Sequence, residues 1–254
     1  MPSFFDSNVS IGINRYPYPH SFTDVAGLIQ RMDSYGIIKA LVYHSIARED
    51  DINAGNKLLL DEIQTHESLY PILLAMPHHT GEFCEPGELA AFMTIHGVRA
   101  LRLFPQRDWH NFSLSRRNCN ELFTTMEKYN VPIFLELDTD DANLGWSEIE
   151  NICEHHPNLK LVLCGLDYSV DRNLFPLLSQ YTNIYLETYR YKVYYGIEEF
   201  CAKFGANRLI FGSGMPKFSG AAAVSMINYA LISEKEKDMI ARGNLESILG
   251  EVRL

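Results

Sequence analysis

The sequence has no long apolar run. Its longest apolar stretches, at residues 69–76 and 132–135, are far shorter than the roughly 18 residues that a membrane-spanning helix needs. The N-terminus also lacks the basic segment followed by an apolar stretch that marks a secretory signal. We therefore expect no membrane partner.

Cysteine and positive charge are both scarce. The five cysteines form no CxxC pair and their number is odd, which favours reduced thiols and a cytoplasmic location. Lys and Arg number 22 against 32 Asp and Glu, so the formal net charge is −10. An acidic chain of this kind argues against nucleic acid as a partner. We expect a small-molecule ligand instead.

Phosphate-binding glycine motifs are missing as well, since no GxGxxG or GxxxxGK occurs. This absence counts against the doubly wound open sheet, which is the alternative to the fold that we predict. What recurs instead is a short apolar run followed by an amphipathic stretch, the pattern of βα units. The eight apolar runs lie at residues 3–9, 37–43, 69–76, 98–103, 132–137, 159–163, 183–187 and 208–211.

Eight such units in 254 residues match the size of a (β/α)₈ (TIM) barrel. We predict an α/β chain that forms one such barrel over residues 1–254. Residues 233–249 read as a C-terminal helical tail with a break at Gly243.

Several strand segments look like those of a known family. Residues 5–12 read FDSNVSIG, where the family has Asp-x-His-x-His followed by Gly, and residues 97–105 read GVRALRLFP. Residues 183–188 (NIYLET), 208–216 (RLIFGSGMP) and 243–250 (GNLESILG) follow in the family's order. Together these segments resemble the amidohydrolase-related (amidohydrolase family 2) barrel hydrolases, which also include decarboxylases.

The resemblance implies a divalent metal, zinc or another, held by histidines on strands one, five and six and by an aspartate on strand eight. The positions of this chain that match those ligands carry other residues, namely Asn8, Ser10, Glu136, Gly165 and Gly214. Glycine offers no ligand atom, and neutral oxygens hold zinc poorly. We therefore predict no cofactor and no metal ligands.

Polar residues cluster where the predicted strands end, and in barrels that face carries the active site. Histidines and carboxylates suit acid–base catalysis, and an arginine suits a carboxylate. We predict catalytic roles for His44, His78, Glu136 and Asp167, and substrate-binding roles for Asn8, His20, Tyr43, Arg102, Glu187 and Tyr189.

Each residue also has a structural interpretation. His44 can be a hydrogen-bonded structural residue, and the adjacent His78 and His79 point to opposite sides of a strand. Arg102 and Glu136 can form an ion pair without a catalytic role. Cys164 has no activating histidine beside it in sequence and reads as an inert buried thiol.

Three functions stay open at this point. The first is a metal-independent hydrolase of a small, carboxylated substrate. The second is a non-catalytic barrel that binds a small acidic metabolite or a protein. The third is a metal-dependent hydrolase or decarboxylase with relocated ligands drawn from His44, His78, Glu136 and Glu187. A homodimer is also predicted as an option, through the tyrosines Tyr185, Tyr189, Tyr191, Tyr194 and Tyr195.

Overall fold

The chain is an eight-stranded parallel barrel surrounded by helices, as predicted. A computed structural model describes residues 2–15, 18–19, 21–137 and 145–254. The strand segments of the described residues, in chain order, are β1 (Phe4–Ile11), β2 (Ile37–His44), β3 (Leu69–Pro71), β4 (Leu73–Leu74), β5 (Leu101–Leu103), β6 (Ile133–Glu136), β7 (Leu161–Cys164), β8 (Ile184–Glu187) and β9 (Leu209–Ile210).

Two junctions close the barrel. The third barrel strand consists of β3, which pairs with β2, and β4, which pairs with β5, on either side of Ile72. Strand β1 meets the segment after β9, where the Ser7 N–H donates to the Phe211 carbonyl at 3.0 Å and Gly214 N–H to the Asn8 carbonyl at 3.0 Å. All adjacent strands run parallel, so their carboxyl ends share one face, which we call the mouth.

Helices cover the outside of the barrel. They are α1 (Val25–Tyr35), α2 (Ser45–Glu49), α3 (Ile52–Ile63), α4 (Pro86–His96), α5 (Arg116–Lys128), α6 (Trp146–His155), α7 (Asp171–Gln180), α8 (Gly196–Phe204), α9 (Gly220–Asn228), α10 (Glu234–Asp238) and α11 (Asn244–Gly250). None of the described helices is long and apolar enough to cross a bilayer. The cytoplasmic location stays a prediction.

Local chemistry sets the helix ends. Asp24 caps α1 because its carboxylate accepts from the Gly27 N–H at 2.8 Å, and Gly36 ends the helix at φ 70°. Leu28 and Met32 lie one turn apart and bury the inner face of α1. Most strand residues are buried because helices cover the outside of the barrel and side chains fill the inside.

The structure corrects two local predictions. The apolar run at residues 69–76 contains two short strand segments instead of one strand. Before Ile72, β3 pairs with β2, and after it β4 pairs with β5. Gly243 does not break the tail, because it takes a helical φ of −58° within a π-helical turn, Met239–Gly243, that joins α10 to α11. Burial of Ile240 and Leu245 against the barrel holds this helix in one piece.

Candidate functional site at the barrel mouth

A small polar cavity of about 100 Å³ opens at the mouth. Among the described residues, three cationic side chains, Arg48, Arg190 and Lys217, share its lining with one carboxylate, Glu136. Aromatic rings form much of the remaining wall, contributed by Tyr18, Tyr43, Phe104, Trp109, Tyr189 and Phe218. Two of these cations have acidic partners outside the lining, since Arg48 pairs with Glu49 and Arg190 Nη2 lies 3.8 Å from Asp167 Oδ2.

The floor of the cavity is built around a fully buried arginine. Arg102, in the centre of β5, donates from Nη1 to Glu136 Oε2 at 2.8 Å and from Nη2 to Glu187 Oε1 at 2.8 Å. Its guanidinium lies against the rings of Tyr43 and Phe134, 5.7 and 5.5 Å from their centroids. A buried charge needs such pairing, because the free-energy cost of its desolvation is otherwise uncompensated.

Strand β1 completes the network from the other side. Ser7 Oγ donates to Glu187 Oε1 at 2.6 Å, and Asn8 Nδ2 donates to Glu187 Oε2 at 2.7 Å. Ser7 also offers its carbonyl to Arg102 Nη2 at 3.1 Å. Strands β1, β5, β6 and β8 are therefore tied together by charged hydrogen bonds beneath the cavity.

Glu136 is the carboxylate that connects this floor to the cavity. Its Oε2 faces Arg102, whereas its Oε1 accepts from the Tyr189 hydroxyl at 2.5 Å. Burial raises the pKa of Glu136 above its ordinary value, and the charge of Arg102 opposes only part of this effect. Burial, strengthened by Glu136, also raises the pKa of Tyr189 well above 10. Tyr189 is thus a neutral donor to this carboxylate.

The glycines at two family ligand positions make room for this pair. A Cβ on Gly165, at φ 78°, would lie 2.3 Å from the Leu137 carbonyl oxygen and 2.9 Å from Glu136 Oε1. A Cβ on Gly214, at φ 72°, would lie 2.7 Å from the Tyr189 ring. Glu136 and Tyr189 therefore fill the space that a side chain at position 165 or 214 would need. The two glycines and the Glu136–Tyr189 pair are thus mutually compatible features of this site.

Arg48 is a mouth residue that the sequence analysis missed. It projects from α2, donates to the Tyr43 hydroxyl at 3.1 Å and to Asn14 Oδ1 at 2.8 Å, and pairs with Glu49. Its guanidinium lies 4.7 Å from the Trp109 ring centroid. The apolar run of β2 gave no signal that a helix begins at Ser45, so the position of Arg48 was hidden.

The predicted site residues fall into two groups. Asn8, Tyr43, Glu136 and Tyr189 line the mouth cavity, and Arg102 and Glu187 lie directly beneath them. The structure thus brings six of the predicted residues together in one place. Their catalytic and binding roles remain predictions.

His44, His78 and Asp167 are not part of the cavity lining, although Asp167 lies 3.8 Å from the lining residue Arg190. His44 caps α2, since its Nδ1 accepts from the Ile46 N–H at 3.2 Å, and burial lowers its pKa. His78 has Nε2 3.5 Å from Glu121 Oε2 on α5. Asp167 caps a turn by accepting from the Ser169 N–H at 2.8 Å. Predicted His20 lies outside the described residues.

The tyrosines near β8 do not form one surface patch. Tyr189 and Tyr191 are buried, whereas Tyr194 and Tyr195 are exposed and pack against each other at 4.3 Å between ring centroids. The prediction that these tyrosines share one surface is thus wrong, because some of them are buried and others are exposed. The homodimer stays a prediction.

Three buried side chains near Arg102 offer ligand atoms for a metal ion. One ligand atom each from Glu136, Cys164 and Glu187 lies within 4.8 Å of the others. Burial raises the pKa of the Cys164 thiol well above 9, so without a cation the thiol keeps its proton. Three protein ligands are the number found in catalytic zinc sites, and carboxylate and thiolate are both groups that bind divalent ions.

Comparisons with known proteins add the fold but no close relative. No protein-family model matches the sequence, and no curated protein matches it. Among solved structures, 2,6-dihydroxybenzoate decarboxylase from Rhizobium has a TM-score of 0.76 at 14% identity, covering 98% of this chain and 99% of that one. A putative amidohydrolase from Staphylococcus aureus has a TM-score of 0.73 at 12% identity, with coverage of 98% and 99%.

A third solved structure corrects the cofactor prediction. It is 5-carboxyvanillate decarboxylase from Novosphingobium aromaticivorans with bound manganese, with a TM-score of 0.76, 12% identity, and coverage of 98% and 97%. Together with the donors Glu136, Cys164 and Glu187, this overturns the prediction that the barrel offers no place for a metal. The prediction rested on the family's ligand positions. Glu136 and Glu187 entered only through the alternative with relocated ligands, and Cys164 was interpreted as an inert thiol.

These likenesses cover the whole barrel at low identity, and they establish its architecture. They include an amidohydrolase and decarboxylases by name, as the sequence resemblance implied. The chain is therefore a (β/α)₈ barrel with the fold of the amidohydrolase-related enzymes.

Proposed function

We propose that the chain is an enzyme that hydrolyses a small, carboxylated aromatic molecule in the mouth cavity. The observation that carries this proposal is the placement of Glu136. It is a carboxyl group with a raised pKa at the floor of a cavity whose lining includes cations and aromatic rings beside neutral polar residues. Convergent polar groups at the carboxyl ends of barrel strands are typical of active sites.

The lining supports the substrate class. Arg48, Arg190 and Lys217 offer positive charge to a carboxylate, and arginine matches two carboxylate oxygens at once. The rings of Tyr43, Trp109 and the other wall residues offer flat faces to an aromatic ring. The cavity of about 100 Å³ limits the bound part to a compact molecule.

Glu136 supplies the proton chemistry in this proposal. Its carboxylate removes a proton from water as the water oxygen bonds to the ester or lactone carbonyl carbon. The carbon–oxygen bond then breaks, and the leaving oxygen takes the proton from Glu136. A raised pKa makes this carboxylate a better base near neutral pH than an ordinary glutamate. Arg102 and Tyr189 hold it in position.

A divalent ion fits the same floor. Glu136, Cys164 and Glu187 are the residues that would hold it, and when bound it supplies a Lewis acid that polarises a carbonyl oxygen. Substrate positioning by the rim cations and aromatic walls applies with or without the ion.

Decarboxylation is the second candidate reaction. Two of the solved structures with this fold are decarboxylases of carboxylated aromatic acids by name, which favours this reaction. In this version the protonated Glu136 donates to the ring carbon that bears the carboxylate. The carbon–carbon bond breaks and carbon dioxide leaves.

The test is a turnover assay with the purified chain. Aromatic carboxylates that carry an ester or lactone are supplied in one panel and hydroxybenzoates in another, each with and without added Mn²⁺. We expect turnover in one panel, and a loss of about 10²–10⁴-fold in Glu136→Gln, the usual size of an acid–base contribution. Evolution of carbon dioxide identifies decarboxylation, and acid release without it identifies hydrolysis.

Glu246→Gln is the matched control, because Glu246 pairs with Lys39 at the opposite end of the barrel and keeps full activity in this account. Binding of these acids without turnover would contradict the proposed enzyme activity and would favour a barrel that only binds its ligand. Equal activity of Glu136→Gln and the unaltered chain would remove Glu136 from the mechanism.

A further inference from the structure

The guanidinium of Arg102 occupies the space between the potential metal ligands. Its Nη1 and Nη2 lie 2.8 Å from Glu136 Oε2 and 2.8 Å from Glu187 Oε1, the carboxylates that belong to the donor set. A divalent ion would bind such oxygens at about 2.0–2.2 Å. It would therefore lie within a few ångströms of the guanidinium, with no water between the two positive charges.

The remaining hydrogen bonds show that this floor is built for one cation. Glu187 Oε1 accepts from Ser7 as well as from Arg102, and Glu187 Oε2 accepts from Asn8. Glu136 Oε1 accepts from Tyr189. Each carboxylate oxygen thus has a donor already, and Arg102 supplies the positive charge.

Arg102 itself is only partly satisfied. Its Nε–H is buried and has no hydrogen-bond partner among the described residues. A buried N–H without a hydrogen-bond partner lowers the stability of the folded chain with Arg102 in this position. A second cation that took the carboxylates would leave the buried guanidinium without its partners, so binding of the ion requires Arg102 to move.

We infer that Arg102 and a divalent metal ion are alternative occupants of one site formed by Glu136, Cys164 and Glu187. Arg102 sets how tightly the ion binds, because the ion gains the carboxylates only as the guanidinium leaves them. Binding of the ion also removes the proton from the Cys164 thiol, since a coordinated thiol is deprotonated. This inference concerns cation binding and does not depend on the proposed reaction.

The experiment measures Mn²⁺ binding by equilibrium dialysis with elemental analysis, and compares the unaltered chain with Arg102→Met and Arg102→Lys. With the guanidinium removed, we expect one equivalent of Mn²⁺ to bind at least about tenfold more tightly, because two like charges a few ångströms apart repel strongly in a buried site. Arg102→Lys should fall between the two. Arg208→Met is the matched control, since Arg208 is also buried but donates to carbonyls of Ile184, Leu178 and Tyr181.

Co²⁺ reports which side chains bind the ion. In Arg102→Met we expect a thiolate-to-cobalt absorption band that disappears when Cys164→Ser is added. If Arg102→Met unfolds in metal-free buffer, refolding on addition of Co²⁺ with the same band supports the inference, and the Arg102→Lys affinity provides the second measurement.

Two results would overturn the inference. One is equal Mn²⁺ affinity in the unaltered chain, Arg102→Met and Arg102→Lys, which would mean that the ion and the guanidinium do not compete. The other is the absence of stoichiometric Mn²⁺ or Co²⁺ binding in both variants, which would mean that these three donors are not a metal site.

Discussion

The barrel mouth and the outer surface between α3 and α4 both carry a cavity, and the two differ in almost every property. The outer cavity is larger, about 500 Å³ against about 100 Å³, and its exposed lining is largely apolar. The outer cavity is lined by residues such as Leu60, Phe83, Leu89 and Phe92. The mouth cavity instead has a buried arginine and two buried glutamates at its floor.

The difference shows that size alone does not locate chemistry in this fold. Asn56, a polar residue of the outer cavity, is satisfied because its side-chain amide exchanges hydrogen bonds with the backbone of Leu74 at 2.8 and 3.0 Å. In the mouth, by contrast, charged groups converge at strand ends and the pKa of Glu136 is displaced. Of these two cavities, the mouth is the one whose floor holds a buried glutamate paired with a buried arginine, and such converging charged groups are typical of active sites.

The largest expected effect of a substitution at the mouth is on stability. Arg102→Met leaves Glu136 and Glu187 buried without their cation, which should lower the free energy of unfolding by about 3–5 kcal/mol. Urea denaturation measures this. Arg99→Met removes an exposed arginine and should change stability by less than about 0.5 kcal/mol. Similar values for the two variants would contradict the mouth network as described.

A buried carboxyl group in β1 should also make the stability of the chain depend on pH. Asp6 lies in β1 with one oxygen bonded to the Asn8 and Ser213 N–H groups, and burial raises its pKa from 3.8 to about 7. Between about pH 4 and 7 the folded chain holds a proton that the unfolded chain has released. The contribution of Asp6 is therefore fully present below pH 3.8 and is lost as the pH rises through 7, by up to about 1.4 kcal/mol per pH unit.

Asp6→Asn removes this titration. Denaturation series at several pH values should show a flatter stability profile for Asp6→Asn than for the unaltered chain. Parallel profiles across this window would mean that Asp6 is ionised in the folded state.

A smaller loss of stability is expected when a glycine is replaced by alanine. Two such substitutions distinguish steric crowding at the mouth from backbone strain alone. Gly214→Ala places a methyl group 2.7 Å from the Tyr189 ring and 2.9 Å from the Phe218 ring, at φ 72°. Gly97→Ala has a similar φ of 66° but open space around the new methyl group. Both variants should lose about 1–2 kcal/mol from the left-handed backbone, and Gly214→Ala should lose more. Equal thermal denaturation of the two would show that the mouth tolerates the methyl group.

The smallest effect is expected in the outer cavity. Phe92 is partly exposed, so Phe92→Ala should cost about 1 kcal/mol or less and should leave turnover unchanged. A loss of turnover comparable to that of Glu136→Gln would mean that the outer cavity, and not the mouth, carries the function.

The fold was predictable because each strand leaves a local signal. The apolar runs are visible in sequence and lie at the strands of the structure. Short α2 was not predictable, since it begins directly after β2 and its cap is His44. The side-chain ring of a histidine gives no usual capping signal.

The site was predictable only in part. Arg102, Glu136 and Glu187 could be placed at strand ends, and the sequence analysis paired Arg102 with Glu136. The second pairing, with Glu187, joins residues 85 positions apart and depends on barrel closure. The role of Cys164 in the donor set was missed for the same reason, because its partners lie on neighbouring strands.

The most direct test of the account is a crystal structure of the chain with a small carboxylated aromatic acid such as 2,6-dihydroxybenzoate. The account predicts the ring at the mouth, among Tyr43, Trp109 and Tyr189, with its carboxylate turned to the cationic side chains. An acid bound between α3 and α4, with the mouth cavity unchanged, would contradict it.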